Sequence, residues 1–450
     1  MSSKSLAHLS PGRIILLSLF VTVMIGTLLL ALPIARTAPI SWLDLIFTAT
    51  SATCVTGLFT INLSLFTLFG QAVLLALIQI GGLGLITLTI FVLSLFIDLG
   101  FGTQLLAGHV MEIETWKNIK KIIIFIISIT LIIECIGAIV TFFCIHTYYS
   151  TPHALFLSLF HAVSSFCNAG ISILDHAKHP HLICADYPLL IITALLMFCG
   201  SLGFITWIEI INYTKSLFTK KRFIFSLVSK IALYGSAFLT VIATLLFLIL
   251  ESGNAFSHMS YTGKVLNSLF NAVSLRSTGL LSIPISTLQI PSLLFMCVMS
   301  FIGSAAGSTG SGIKLPSFFI LCATIKSAVS GYASVNIKGR RIAKDQVLKA
   351  ITIITLSIVW IITTLFFILI TQTNIDFMDL AFETVSAFTN LGLSLGITPL
   401  LTISSKIFIM LSMVAGRIGS LTLILAFRKT NMLLQSADKI NYPEERVMLS

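Results

Sequence analysis

Four short tracts in this sequence carry the residue types that a dehydrated cation needs, and they are versions of one another. The first is Phe47-Thr-Ala-Thr-Ser-Ala-Thr-Cys-Val-Thr-Gly57-Leu58, and the second is Phe160-His-Ala-Val-Ser-Ser-Phe-Cys-Asn-Ala-Gly170-Ile171. The third, one residue shorter, is Phe270-Asn-Ala-Val-Ser-Leu-Arg-Ser-Thr-Gly279-Leu280. The fourth is Phe382-Glu-Thr-Val-Ser-Ala-Phe-Thr-Asn-Leu-Gly392-Leu393. Each opens on Phe, places Ser four residues later (Ser51, Ser164, Ser274, Ser386) and closes on Gly, with a period of about 110 residues. Rings of backbone carbonyls replace an ion's hydration shell without fixed charge, and glycine lets such backbones turn and approach closely. The lining expected here is Val55-Thr56-Gly57, Asn168-Ala169-Gly170, Ser277-Thr278-Gly279 and Asn390-Leu391-Gly392. Only Gly is common to all four, so the sequence predicts cation selectivity with weaker K⁺/Na⁺ discrimination than four identical motifs would give.

The setting of these tracts is a membrane. Of 450 residues 56% are hydrophobic and only 10% charged, with a mean hydropathy of +1.04, whereas a soluble chain carries roughly 25% charged residues. Apolar runs long enough to span fall at 12–34, 69–97, 119–146, 187–212, 228–250, 290–330, 347–371 and 401–428, each matching the hydrocarbon thickness. They group in four pairs. Between the members of each pair lies an amphipathic run too short to cross, at 42–53, 153–166, 263–275 and 376–388, and each ends in a repeated tract. Non-helical backbone at membrane depth must be buried in protein or line a watery cavity, so the economical arrangement is a half-helix followed by an extended return. Four ordinary loops of chance similarity are the alternative. The predicted fold is all-α and polytopic, with four pseudo-symmetric helix–half-helix–helix repeats around one central pore. The repeats are 12–98 (half-helix and filter 42–58), 119–213 (153–171), 228–330 (263–280) and 347–428 (376–393), followed by a cytoplasmic tail, 429–450.

Charge placement sets orientation. The net charge is +11, and basic residues concentrate around Lys117, Lys120 and Lys121, over Lys215–Lys230, over Lys326–Lys349, and in the tail at Arg428, Lys429, Lys439 and Arg446. The other side holds few: Arg36, Lys178, Lys264 and Arg276. By the positive-inside rule the first group and both termini are cytoplasmic, and nucleic acid is not needed to explain the charge. Asp44, Asp175, Asp186, Asp376, Asp379 and Glu383 fall on the outer side, where they either concentrate cations or offset half-helix dipoles. The eight cysteines and nine histidines show no metal or redox spacing, no catalytic constellation stands out, and no covalent cofactor is expected.

Two further features bear on control of the pathway. Gly303-Ser-Ala-Ala-Gly307-Ser308-Thr309-Gly310-Ser311-Gly312-Ile-Lys314 interrupts the sixth span over 303–314, where each Gly costs about 1 kcal/mol of helix propensity relative to Ala. It reads as a flexible intramembrane loop that obstructs and gates the pore, or else as close helix packing through Gly303 and Gly307. Arg417 lies in the middle of the last span and must face the bundle interior. There it acts as a positive barrier beneath the filter, or it bonds helix-end carbonyls or a carboxylate such as Glu134 or Glu209.

Together with Cys54-Val-Thr-Gly57-Leu58, Gln79-Ile-Gly-Gly-Leu-Gly84, the break ending in Gly312-Ile-Lys314, and Gly416-Arg417, the fourfold tracts resemble the bacterial Trk/Ktr potassium-uptake superfamily. The likeness covers residues 12–430 and is nearest to its KtrB-type membrane subunits. It implies a K⁺-translocating homodimer in the inner membrane, one pore per protomer, with K⁺ coordinated at Gly57, Gly170, Gly279 and Gly392. It also implies that Gly303–Lys314 and Arg417 form the gate, moved by a cytoplasmic ring of nucleotide-binding regulatory subunits of the KtrA/TrkA type. Nucleotide would act only through that partner, since the chain carries no Gly-rich nucleotide fold. The chain departs from the family at Cys167, where Asn is common, and at Asn390-Leu391, where Thr-Val is common. Within this reading K⁺ conduction, Na⁺-dependent K⁺ symport and Na⁺/K⁺ permeation are open, and a non-transporting membrane anchor for a cytoplasmic complex is the alternative outside it.

Overall fold

The structure, a computed structural model, describes residues 11–84, 119–174, 186–220 and 222–427. The end of the second expected span (85–97), Lys117, Asp175, Lys178 and the tail lie outside the described residues. Among the described residues four helices are individually long and apolar enough to cross a bilayer: α1 (Pro11–Ala31), α4 (Ile119–Ile145), α8 (Leu227–Glu251, with one π-helical turn at Ile231–Gly235) and α12 (Lys344–Thr371). Each is followed by a short helix: α2 (Trp42–Cys54), α5 (Thr151–Phe166), α9 (Tyr261–Ser274) and α13 (Phe377–Thr389). Local chemistry sets where these start. The Ser41 hydroxyl accepts from the Asp44 amide and Ser260 from Gly263, Pro152 opens α5, and Asp376 stands at the N-cap of α13. Such residues satisfy or remove orphan donors of a first turn. Large apolar side chains on the four long helices, among them Phe20, Ile136, Val241 and Ile362, are exposed, as expected where lipid is the solvent.

The third helix is broken in the second, third and fourth groups, and in the first it stops at Gly82 within the described residues. The sequence led us to expect one interruption, in the sixth span, and the described residues show three. α3 (Leu68–Gly82) stops before Gly84, α6 (Tyr187–Ser201) before Gly203 and α14 (Ile403–Ile418) at Gly419, all three glycines having φ between 85° and 92°. Beyond two of these stops the chain resumes as helix, as α7 (Phe204–Thr219), bent 102° from α6, and as α15 (Ser420–Phe427). In the third group α10 (Ile290–Phe301) and α11 (Leu315–Val329) flank the long loop 302–314. A two-strand hairpin, β1 (Asn336–Ile337) with β2 (Arg340–Arg341), joins α11 to α12.

Contacts between groups run in one cyclic order. α3 packs on α5, α6 on α9, α10 on α13, and α14 returns to α2. The third helix of each group therefore braces the short helix of the next, and the fourth closes on the first. Phe47, Phe160, Phe270 and Phe382, which open the four tracts, are all buried to 1% exposure or less.

Candidate ion pathway

The short helices end where the tracts begin, and the repeated serine makes the turn. Its carbonyl accepts from the backbone five residues on in three tracts: Thr56 to Ser51, Ala169 to Ser164 and Leu391 to Ser386, at 2.8 to 2.9 Å. In the shorter third tract the Ser274 carbonyl accepts from both Thr278 (3.0 Å) and Gly279 (3.2 Å). This 6→1 bond is the usual stop of a helix followed by a left-handed residue, and Val55, Asn168, Ser277 and Asn390 all have positive φ. The serine hydroxyl adds a second tie in two tracts, accepting from Gly57 at 3.1 Å and from Ile171 at 3.0 Å.

The four tracts meet. A Cβ placed on Gly170 would stand 1.9 Å from the Thr278 carbonyl oxygen, and one on Gly279 would stand 1.7 Å from that of Leu391. On Gly392 it would stand 1.9 Å from the Thr56 oxygen, and on Gly57 2.6 Å from the Ala169 oxygen. In every case the neighbour is the residue preceding the next tract's glycine. The four glycines thus form a closed ring in the order one, two, three, four, one, which is the order of the helix contacts. All four have positive φ, from 64° to 99°, so both backbone conformation and space require glycine there. Gly57, Gly170 and Gly392 are partly accessible while Val55, Thr56, Asn168, Ala169, Ser277, Thr278, Asn390 and Leu391 are buried.

Directly against this ring lies the loop 302–314. Its root is closed by a parallel bridge between Ile302 and Ile313 and by the Gly303 amide on the Ile313 carbonyl, 3.0 Å. Its tip reaches three tracts. The Thr309 hydroxyl accepts from Asn168 Nδ2 at 2.8 Å and lies 3.0 and 3.1 Å from the carbonyl oxygens of Phe166 and Gly200. The Ser311 amide donates to Ser277 Oγ at 2.7 Å, and Ser311 Oγ accepts from Asn390 Nδ2 at 3.1 Å. The break after α6 completes the seat: Ala305 donates to the Ser201 carbonyl (3.1 Å) and Phe204 to that of Gly307 (2.9 Å). Backbone groups freed from helix at membrane depth thus pair with one another, as they must in lipid. Helix packing through Gly303 and Gly307 does not occur, because neither is in a helix; a Cβ on Gly307 would meet nothing within 4 Å. Ser308 caps the inner turn on the Ala305 carbonyl, and Lys314 donates to the Gly310 carbonyl at 2.6 Å. Gly312 stands at φ 75° beside Gly303 at the root.

Arg417 ties the loop down. Its guanidinium donates to the Thr309 carbonyl, to Ser311 Oγ at 3.0 Å, and to the Gly81 carbonyl of α3. Neither carboxylate considered from sequence is its partner: Glu209 accepts from the Ser226 amide (2.9 Å) and Glu134 from Gln79 (3.1 Å). Arg276, counted above with the sparse outer basic residues, is instead 1% exposed inside the third tract. None of its guanidinium nitrogens has a hydrogen-bond partner among the described residues. Hydropathy and the positive-inside rule treat a charged loop residue as solvated, and here it follows α9 into the interior. Asp44 is likewise not free, since it pairs with Lys406 of α14 at 2.8 Å and so joins the first group to the fourth. Asp186 and Glu383 are also engaged, the first capping α6 at the Leu189 amide and the second accepting from the Thr398 hydroxyl.

One signal in the sequence went unread. Gly81-Gly-Leu-Gly84, Gly200-Ser-Leu-Gly203 and Gly416-Arg-Ile-Gly419 are a second repeat. A Cβ on the first glycine of each would lie within about 2 Å of a short-helix carbonyl oxygen (Thr53 at 2.1 Å, Phe166 at 1.9 Å, Phe388 at 1.7 Å). The spacing lets the third helix press on the end of the short one, and the second glycine turns the chain away.

A family model described as TrkH, cation transport protein, matches residues 14–436. The chain is 32% identical to the Ktr system potassium uptake protein B of Bacillus subtilis over 97% of this chain and 96% of the relative. It is 31% identical to the potassium/sodium uptake protein NtpJ of Enterococcus hirae, over 98% of each. The crystal structure of the potassium transporter TrkH from Vibrio parahaemolyticus superimposes with a TM-score of 0.70 at 19% identity, over 92% of this chain and 85% of that one, a likeness of fold. This chain is an integral membrane protein that belongs to the TrkH family of cation transport proteins.

Proposed function

We propose that the chain is the K⁺-translocating membrane subunit of a bacterial potassium-uptake system, and that Gly57, Gly170, Gly279 and Gly392 with the residues before them form its filter. The observation that carries this is the cyclic approach of each filter glycine to the carbonyl of the next tract. Four helix C-termini, partially negative, converge on the same ring, and carbonyl oxygens there replace the water of an ion whose charge they match. Two relatives named for potassium uptake, which align over nearly their full lengths, support the same reading. The bilayer is the inner membrane and both termini are cytoplasmic, as charge placement favours. Each group of long helix, short helix and third helix is one repeat, and each protomer of a homodimer holds one pore.

In this reading loop 303–314 is the gate. It blocks the path below the ring because Asn168, Ser277 and Asn390 hold its tip, and Arg417 locks it by charge-assisted bonds. Opening requires those bonds to exchange, and a cytoplasmic ring of nucleotide-binding subunits supplies the work. The identity with a protein named for both potassium and sodium favours a second reading, a K⁺/Na⁺ permease or Na⁺-dependent K⁺ symporter with the same site. One experiment separates these. Purified chain in liposomes is given K⁺ and Na⁺ gradients varied independently, with Gly170→Ser as control. K⁺ flux that is lost in the control supports the filter. Na⁺ flux alone moves the assignment to a permease, K⁺ flux that needs Na⁺ moves it to symport, and no flux of either ion leaves a membrane anchor.

A further inference from the structure

Glu134 sits halfway along α4 and is 3% exposed, although Ile132 and Ile136 beside it face lipid. A carboxyl group at that depth is costly unless it has partners, and it marks a function by default. Among the described residues no cation pairs with it. Its partners are Gln79 of α3, whose Nε2 donates to Glu134 Oε2 at 3.1 Å, and Cys167, whose Sγ lies 3.7 Å from both Glu134 Oε1 and Gln79 Oε1. Cys167 immediately precedes the Asn168-Ala169-Gly170 tract. It is also wedged from behind, since a Cβ on Gly82 would stand 2.4 Å from its sulfur. Of the four tracts, the second alone is braced by a carboxyl group from a long helix among the described residues. At the corresponding place in the fourth, the Thr389 hydroxyl donates only to its own helix, at the Val385 carbonyl, 2.8 Å.

We propose that Glu134 is a positioning residue for ion selection: acting through Gln79 and Cys167, it fixes where the second quarter of the ring stands and so sets the preference between K⁺ and Na⁺. The inference rests on the filter reading above. Carbonyl groups discriminate between the two ions by their number, field strength and separation, so a quarter free to shift inward accommodates the smaller ion. Glu134 touches no ion. It acts at one remove, with the αL turn at Asn168 as the joint between its cluster and the ring.

The test uses the full chain in liposomes and reads the Na⁺/K⁺ permeability ratio from reversal potentials. Glu134→Leu should raise that ratio by roughly fivefold, the worth of about one ordinary hydrogen bond. Glu134→Gln keeps one acceptor, for the Gln79 amide, while its own amide nitrogen replaces Oε1 and leaves the thiol only Gln79 Oε1, so the ratio should fall between the parent and Glu134→Leu. Cys167→Ala, which cuts the link while leaving Glu134 and Gln79 paired, should move the ratio in the direction of Glu134→Leu. An unchanged ratio in folded Glu134→Leu overturns the proposal, as does a Gln variant that behaves like Leu. If the Leu variant does not fold, an unchanged ratio in Cys167→Ala overturns it instead. Gly170→Ser keeps the two readings apart. Flux lost there with the Glu134→Leu ratio unchanged sinks only this inference, and flux retained there sinks the filter.

Discussion

Replacing the four ring glycines by alanine, one at a time, should produce a graded series whose order the structure fixes. Two costs apply. The first is common to all: a side chain at positive φ costs of order 1–3 kcal/mol. A tract that relaxes to escape it would occupy the ring conformation roughly 5- to 150-fold less often. The second differs by position. At Gly279 the new methyl would stand 1.7 Å from the Leu391 carbonyl oxygen, half the 3.4 Å at which ordinary contact begins, and at Gly170 and Gly392 it would stand at 1.9 Å. At Gly57 it would stand at 2.6 Å. Gly279→Ala should therefore lose K⁺ flux most completely, Gly170→Ala and Gly392→Ala nearly as much, and Gly57→Ala least, because its overlap is the mildest of the four though still a clash. Flux into liposomes, with size-exclusion profile and thermal unfolding as controls for the fold, measures the series. Parental flux in folded Gly279→Ala, or a Gly57→Ala more damaging than Gly279→Ala, would refute the ring geometry.

Other outcomes follow from single contacts. Arg417→Gln removes charged donors from the Thr309 carbonyl and Ser311 hydroxyl, each worth roughly 1.5–3 kcal/mol net, and should raise basal flux in liposomes that hold no partner subunit. Unchanged flux in the folded variant would show that Arg417 only supports the structure. Thr309→Val deletes the latch to Asn168 and should act in the same direction, more weakly, in the same assay. Asp44 lies outside the spanning helices. Burial pushes its pKa up, but hydrogen bonds from Lys406 and Ser41 and the charge of Lys406 outweigh that and hold it below its ordinary 3.8. Its contribution to stability is therefore present above that ordinary value and fades as pH falls through the lower folded-state value. Asp44→Asn should cost roughly 1–2 kcal/mol at neutral pH and flatten the acid limb of a Tm-against-pH curve; an acid limb identical to the parent's would count against the pairing.

The parts of the fold that were legible in the sequence are those written by period and punctuation. Apolar runs of spanning length, shorter runs between them, and a Phe–Ser–Gly frame repeated four times together specify helices, half-helices and their order. The serine proved legible in its position and opaque in its role, because a carbonyl bond to Thr56 or Leu391 leaves no trace in residue type. Hydropathy also smoothed over Gly84, Gly203 and Gly419. Each sits in an apolar window, and a window average does not register a reversal in φ. The bonds from Asn168, Ser277 and Asn390 to the loop were beyond reach for another reason. They join residues up to 141 positions apart, and small polar side chains carry no signal of which partner they meet. Arg276 misled for the same cause, since burial of a guanidinium is decided by the tracts around it.

One polypeptide closes this ring, and that has a consequence for how it can change. In an assembly of identical chains a substitution appears on every wall at once. Here the first wall presents Val55 and Thr56, the second Asn168 and Ala169, the third Ser277 and Thr278, and the fourth Asn390 and Leu391. Each can be altered while three stay as they were. With the ring as the proposed filter, size or polarity added on one side of the axis only would give the passing ion a lopsided field, and a lineage would adjust selectivity in quarter steps.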